Sequence, residues 1–214
     1  MSESVLESED RIDRVAVIGS GVMGAGVAAH CANAGCEVIL LDIVPDGEDD
    51  RNLISRKAIQ AMVQSDPEML MHKSFAKRII PGNLEDDLQR LKDCDWVIEA
   101  IVERLDIKKS LYQKISQYIG SNTIVSSNTS TLPRSSLIEG MPSEMASRFL
   151  ITHFFNPPRY LPLLEVVSHK QVDQDTITRL AEFADKRLGK RVIHCNDTPG
   201  FIGNRLGVFF IQRA

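Results

Sequence analysis

Val15 to Ala28, VAVIGSGVMGAGVA, constrains what this chain can fold into more than any other stretch. Four apolar residues lead straight into Gly19-Ser20-Gly21-Val22-Met23-Gly24, and small side chains of helical character follow. The pattern predicts a strand, a glycine turn and a helix start. Each glycine has a physical task. Gly19 makes the tight turn, Gly21 lets a pyrophosphate approach the backbone, and Gly24 lets the helix pack closely on the strand. The helix N-terminus, with Val22 and Met23 in its first turn, offers N–H groups and a positive dipole end to phosphates.

The surroundings of the glycines strengthen the reading. Gly35 is a plausible helix stop, and Glu37 to Leu41 (EVILL) reads as a second buried strand closed by Asp42. An acidic side chain there, about 20 residues past the glycines, accepts hydrogen bonds from the adenine-ribose hydroxyls of a dinucleotide. The same carboxylate repels a 2′-phosphate, so NAD is expected rather than NADP. Taken alone, the glycines also fit a βα turn with no ligand.

Composition removes several classes. At 214 residues and 43% hydrophobic content, the chain can bury one good core or slightly more. A net charge of −4 with dispersed basic residues gives no field for nucleic acid. No apolar run reaches transmembrane length, so no membrane partner is expected. The cysteines, Cys31, Cys36, Cys94 and Cys195, lack C-x-x-C spacing and sit in apolar patterns. They read as buried thiols of a reducing, cytoplasmic protein, and no metal site is expected. Residues 1–11 are polar and acidic and read as a flexible tail.

After Asp42 comes an acidic loop, Ile43 to Asp50, and then apolar residues at helical spacing from Arg51 to Gln64. Pro67 re-aims the chain before Met69 to Lys77, which suggests a helical hairpin standing beside the sheet. Ile79 to Asn83 reads as a short strand and turn, followed by a short helix through Leu91. Asp95 to Ile101, Thr123 to Ser126 and Arg148 to Phe155 read as further strands, with an amphipathic helix at Leu105 to Ile119. The alternation predicts an α/β fold: a doubly wound, mostly parallel sheet of Rossmann type over residues 12–198, with an antiparallel hairpin near its end.

Ligands of such sheets bind beyond the carboxyl ends of the strands, where Glu103, Lys108, Asn128, Thr129, Ser130 and His153 fall. Phe155 and Leu163 are separated by a connection too short for a parallel crossover, so their strands should be antiparallel. If the loop closes symmetrically, His153 falls opposite Glu165, with Cβ atoms roughly 5 Å apart. An isolated glutamate in LPLLEVV is costly to bury, and it asks for a partner. The pair would form a base held and charge-stabilised by a carboxylate; a structural histidine is the competing reading. His30, His72, His169 and His194 have no comparable pattern and are read as structural. Arg191 to Cys195 is a last strand. The segment Asn196 to Arg205, with Pro199 in a first turn, leads into a helix that carries Asn204.

The set GSGVMGAGVA, Asp42, VIEAIVE, SSNTS, HFFNP with LLEVV, and NDTPGFIGNR resembles the NAD-binding domain of L-3-hydroxyacyl-CoA dehydrogenases, from about Arg14 to the last residue. IPGNLEDD and RYLPLL look closest to the long bacterial form that couples this activity to an enoyl-CoA hydratase. The resemblance implies oxidation of 3-hydroxyacyl-CoA in fatty-acid β-oxidation, with His153 as general base and Glu165 as its electrostatic partner. It implies that Ser130 and Asn204 hold the reacting oxygen. It also implies that Gly19, Gly21, Val22, Met23, Gly24, Asp42, Glu103, Lys108, Ser130 and Asn156 surround NAD, with Lys108 also meeting coenzyme A. Arg51 to Lys77 departs from the family pattern, so no coenzyme A contacts are carried over there. A sugar-acid dehydrogenase and a non-catalytic dinucleotide-binding module remain as alternatives.

Leu206 to Ala214 is apolar around its circumference and has no polar tail, which predicts burial on several sides. Residues 199–214 are therefore expected to begin a helical domain absent from this chain. By resemblance, that domain closes the acyl-CoA cleft and forms a homodimer.

Overall fold

In the computed structural model, residues 11–213 are described. The expected N-terminal tail lies outside them except for Arg11, which is exposed and paired with Asp13. The parallel-strand patterns become β1 (Arg14–Ile18), β2 (Glu37–Asp42), β3 (Ile79–Asn83), β4 (Trp96–Glu99), β5 (Ile124–Ser127) and β6 (Phe149–Phe154). They are followed by β7 (Leu163–Val167) and β8 (Arg191–Cys195). The sheet has eight strands in the order β3-β2-β1-β4-β5-β6-β7-β8. All neighbours are parallel except β6 and β7. Order reverses between β1 and β4, and a crevice opens at such a switch point beyond the strand ends.

Helices cover both faces. On one side α1 (Val22–Asn33), α2 (Leu53–Gln64) and α6 (Gln174–Lys186) bury a core around Val15, Val38, Trp96 and Leu180. On the other, α3 (Leu105–Ile115) and the short α4 (Arg134–Leu137) and α5 (Ser143–Ala146) bury Ala16, Val97, Tyr112 and Phe149. Central strands therefore read as continuous apolar runs, since both of their faces are covered.

The helical hairpin predicted after β2 has only its first arm, α2. Residues 65–72 are irregular, and Lys73–Arg78 is a 3₁₀ turn. The cause is competition for the backbone. Asn33 takes the Met69 carbonyl and the Met71 N–H, Ser65 takes the Met69 N–H, and Arg159 takes the Glu68 and Leu70 carbonyls. Those groups are then lost to a helical ladder. The helix expected through Leu91 is likewise 3₁₀, at Leu88–Asp93. The final helix, α7 (Gly203–Ile211), starts later than expected, because Gly200 and Phe201 take left-handed φ of 74° and 46° after Pro199. Asn204 is therefore in its first turn. Leu206, Val208, Phe209, Phe210 and Ile211 are exposed.

All four cysteines are free and buried. Burial pushes Cys36 up to about 11 and Cys94 up to about 12. Among the described residues no helix is long and apolar enough to cross a membrane.

One partly buried histidine makes stability depend on pH. His30 Nε2 lies 3.0 Å from the Leu188 carbonyl oxygen and must donate to it, which leaves Nδ1 unprotonated, buried and, among the described residues, without a partner. Burial, with Lys190 nearby, lowers its pKa to about 4. The unfolded chain therefore binds the extra proton between roughly pH 6.5 and 4, and stability falls as pH drops through that window. The loss at pH 5 should be about 2 kcal/mol. Urea unfolding at pH 7 and pH 5 should show it, and His30→Gln should shrink the difference by that amount. An unchanged pH dependence in the variant would contradict the assignment.

Candidate active site

The glycine turn is built as its sequence demands. Gly19 has φ of 98°, and a Cβ there would stand 2.6 Å from the Ala100 carbonyl oxygen. Its N–H donates to the Leu41 carbonyl (2.8 Å), tying the turn to the end of β2. At Gly24 a Cβ would fall 1.8 Å from the Gly19 carbonyl oxygen, so α1 crosses the turn in contact. Gly21 differs: beyond its immediate chain neighbours, no protein atom lies within 4 Å of its missing Cβ. That open side, with no side chain capping the first turn of α1, fits a pyrophosphate.

Asp42 closes β2 beside this turn. Its Oδ2 accepts from the N–H and hydroxyl of Ser20 (2.6 and 2.5 Å), and Oδ1 from the Ile43 N–H (2.8 Å). Oδ1 keeps acceptor capacity for a ribose hydroxyl. Ser20 thus fixes the carboxylate, a role that spacing alone does not disclose.

From the turn a cleft of about 390 Å³ runs along the strand ends, lined by Gly21, Val22, Met23, Glu103, Lys108 and Ser130, among others. Ala100, Ile101 and Val102 form its floor after β4, and Asn128 joins the wall after β5. Glu103 Oε1 accepts from the hydroxyls of Thr129 and Thr131 and from the N–H groups of Ser130 and Thr131 (3.2 and 3.3 Å). Burial pushes its carboxyl up, but the Thr129 hydroxyl, Lys108 and Thr131 outweigh this and hold it below the ordinary value. Lys108 is nearly sealed from solvent. Its Nζ lies 2.5 Å from Glu99 Oε1 and 3.4 Å from Glu103 Oε2. Asn156 is exposed just past β6 and is outside the cleft lining.

On β6 and β7 the strand register pairs His153 with Glu165, as the symmetric loop predicts. His153 Nδ1 and Glu165 Oε2 are 2.7 Å apart, and the residues are 6% and 1% exposed. The other carboxylate oxygen accepts from the N–H groups of Ile202 (2.9 Å) and Gly203 (2.7 Å) at the start of α7. The positive end of that helix thus supports the anion. Phe155 and Phe201 flank the imidazole, with ring centroids at 4.5 and 5.9 Å. Nδ1–H donates to Glu165, and among the described residues Nε2 has no hydrogen-bond partner. It can therefore take a proton from a ligand.

Asn204 Nδ2 donates to the Ser130 carbonyl oxygen (3.1 Å), which joins α7 to the wall. Asn128 Oδ1 accepts the Phe154 N–H (2.9 Å), fixing the strand that carries His153. Asp197, absent from the sequence-based candidates, accepts the N–H groups of Arg134 and Ser135 (2.6 and 2.9 Å) and anchors the 196–202 loop. The Asp-Thr-Pro-Gly turn was the available signal.

Residues 14–198 match the family model described as 3-hydroxyacyl-CoA dehydrogenase, NAD binding domain. A Rickettsia felis protein named as a fatty acid oxidation complex trifunctional enzyme is 48% identical over 95% of this chain and 28% of its own length. A Deinococcus radiodurans protein carrying the name 3-hydroxyacyl-CoA dehydrogenase is 47% identical over 95% of this chain and 59% of its own. The chain therefore spans between a quarter and three fifths of these relatives. Among solved structures, 3-hydroxybutyryl-CoA dehydrogenase from Escherichia coli superposes with a TM-score of 0.78 at 31% identity, covering 92% of this chain and 41% of that one.

Proposed function

Because the chain belongs to the 3-hydroxyacyl-CoA dehydrogenase family through its NAD-binding domain, we propose that it oxidises L-3-hydroxyacyl-CoA to 3-oxoacyl-CoA within fatty-acid β-oxidation. The observation that carries this reading is the buried His153–Glu165 pair at the carboxyl ends of the strands, with Nε2 unpartnered.

Oxidising a secondary alcohol removes the hydroxyl proton while hydride leaves the same carbon. When bound, NAD supplies the hydride acceptor. His153 Nε2 takes the proton, and Glu165 stabilises the imidazolium through Nδ1–H. The α7 amides keep Glu165 from turning away. Ser130 and Asn204, joined through the Ser130 carbonyl, orient the hydroxyl in this reading, and fixed orientation removes a large part of such barriers. In reverse, His153 returns the proton to the new alkoxide. The four buried free cysteines fit a cytoplasmic setting.

NADH oxidation on acetoacetyl-CoA tests the reading: consumption of both supports it, and NADH consumption only with an oxo-sugar acid refutes it. Cofactor choice is a separate prediction. Asp42→Ala should weaken NAD binding by roughly tenfold, about 1.4 kcal/mol, while NADP binding changes less. Calorimetry that gives the wild-type chain equal affinity for NAD and NADP would contradict the role of Asp42.

A further inference from the structure

Beneath the cleft floor lies a charged group that the proton and hydride transfer does not use. Glu99 ends β4 with no solvent exposure. Its Oε1 accepts from Lys108 Nζ (2.5 Å) and the Ile101 N–H (2.8 Å), and Oε2 from the hydroxyls of Tyr112 and Ser127 (both 2.6 Å). Each oxygen accepts twice, and Lys108 makes the carboxylate one half of a buried ion pair. Its ion-pair partner, Lys108, is shared with Glu103. Among the described residues no other lysine or arginine pairs with either carboxylate. Two carboxylates and one ammonium leave one net negative charge in this wall.

The cluster lies between the glycine turn, where Glu99 is in register with Ile18, and the Ser130 wall that leads toward Glu165. Glu103 accepts the Ser130 N–H, and Ser130 meets Asn204 in the first turn of the helix that holds Glu165. Hydride transfer must occur within reach of His153, so the nicotinamide belongs at this end and the pyrophosphate at Gly21. The oxidised ring carries a positive charge that the reduced ring lacks. A buried excess charge is poorly screened and discriminates between the two.

We infer that Glu99, by supplying the second carboxylate of this cluster, is a specificity-determining residue that raises the affinity for NAD⁺ relative to NADH. The inference rests on the NAD reading above.

Dissociation constants for NAD⁺ and NADH, measured by calorimetry on wild type and variants, test it. Glu99→Gln should lower the ratio of the NADH to the NAD⁺ dissociation constant by roughly three- to tenfold. Tyr112→Phe removes a donor from the same carboxylate but no charge, and it should leave the ratio within about twofold whatever it does to stability. Glu103→Gln removes the same charge from the solvent-facing member and should move the ratio in the same direction, so it carries the test should Glu99→Gln not fold. An unchanged ratio in the folded charge variants, or an equal shift in Tyr112→Phe, overturns the inference and leaves the cofactor reading intact. A wild-type chain that binds neither form overturns both.

Discussion

His153→Ala should lower turnover of acetoacetyl-CoA by roughly 10²- to 10⁴-fold, the usual cost of losing a general base, while NADH still binds. The imidazole is remote from Gly21 and Asp42, so the cofactor's phosphate and ribose contacts survive its removal. Glu165→Gln keeps the shape of the pair but removes the charge that supports the imidazolium. Its amide N–H₂ must also face either Nδ1–H or the two α7 amides, all of them donors. The variant should therefore lose both turnover and stability. A near-wild-type rate in either variant, measured by NADH oxidation, would remove the pair from the mechanism.

The second large effect separates two glycines of one motif. In Gly24→Ala the new methyl would stand 1.8 Å from the Gly19 carbonyl oxygen, a backbone atom that cannot step aside. Helix α1 must lift off the turn, at a cost of about 1–3 kcal/mol or more, and NAD affinity should collapse with it. In Gly21→Ala the methyl meets nothing within 4 Å beyond its immediate chain neighbours. That variant should melt like wild type yet bind NAD at least roughly tenfold more weakly, because the methyl fills the space that the pyrophosphate approaches. Paired melting and calorimetry decide it. A Gly21→Ala chain that binds NAD normally would place the pyrophosphate elsewhere.

Where local chemistry dictated geometry, the sequence was readable. The strand–glycine–helix unit, Asp42 at the end of β2 and the His153–Glu165 register all follow from short-range rules, because a two-residue period and a short loop leave few alternatives. Segments governed by distant side chains were not readable. Asn33 and Arg159 hold residues 68–71 out of a helix from positions remote in the chain. The start of α7 was set by two left-handed residues, one of them Phe201, where no glycine announces the conformation. The burial of Lys108 was equally hidden. Its spacing from Glu103 is visible, but that Glu99 points inward to meet it depends on how α3 packs over β4 and β5. The α7 amides on Glu165 join residues nearly forty positions apart, beyond any periodicity argument.

The most direct measurement follows the hydride itself. NADH deuterated at the transferable position of its nicotinamide is incubated with acetoacetyl-CoA and this chain, and the product is examined by mass spectrometry and NMR. The account predicts 3-hydroxybutyryl-CoA carrying the deuterium on carbon 3, formed by wild type, however slowly, and lost in His153→Ala while NADH binding persists. Deuterium that stays on the bound cofactor in the wild-type reaction, or label delivered equally well by His153→Ala, would contradict it.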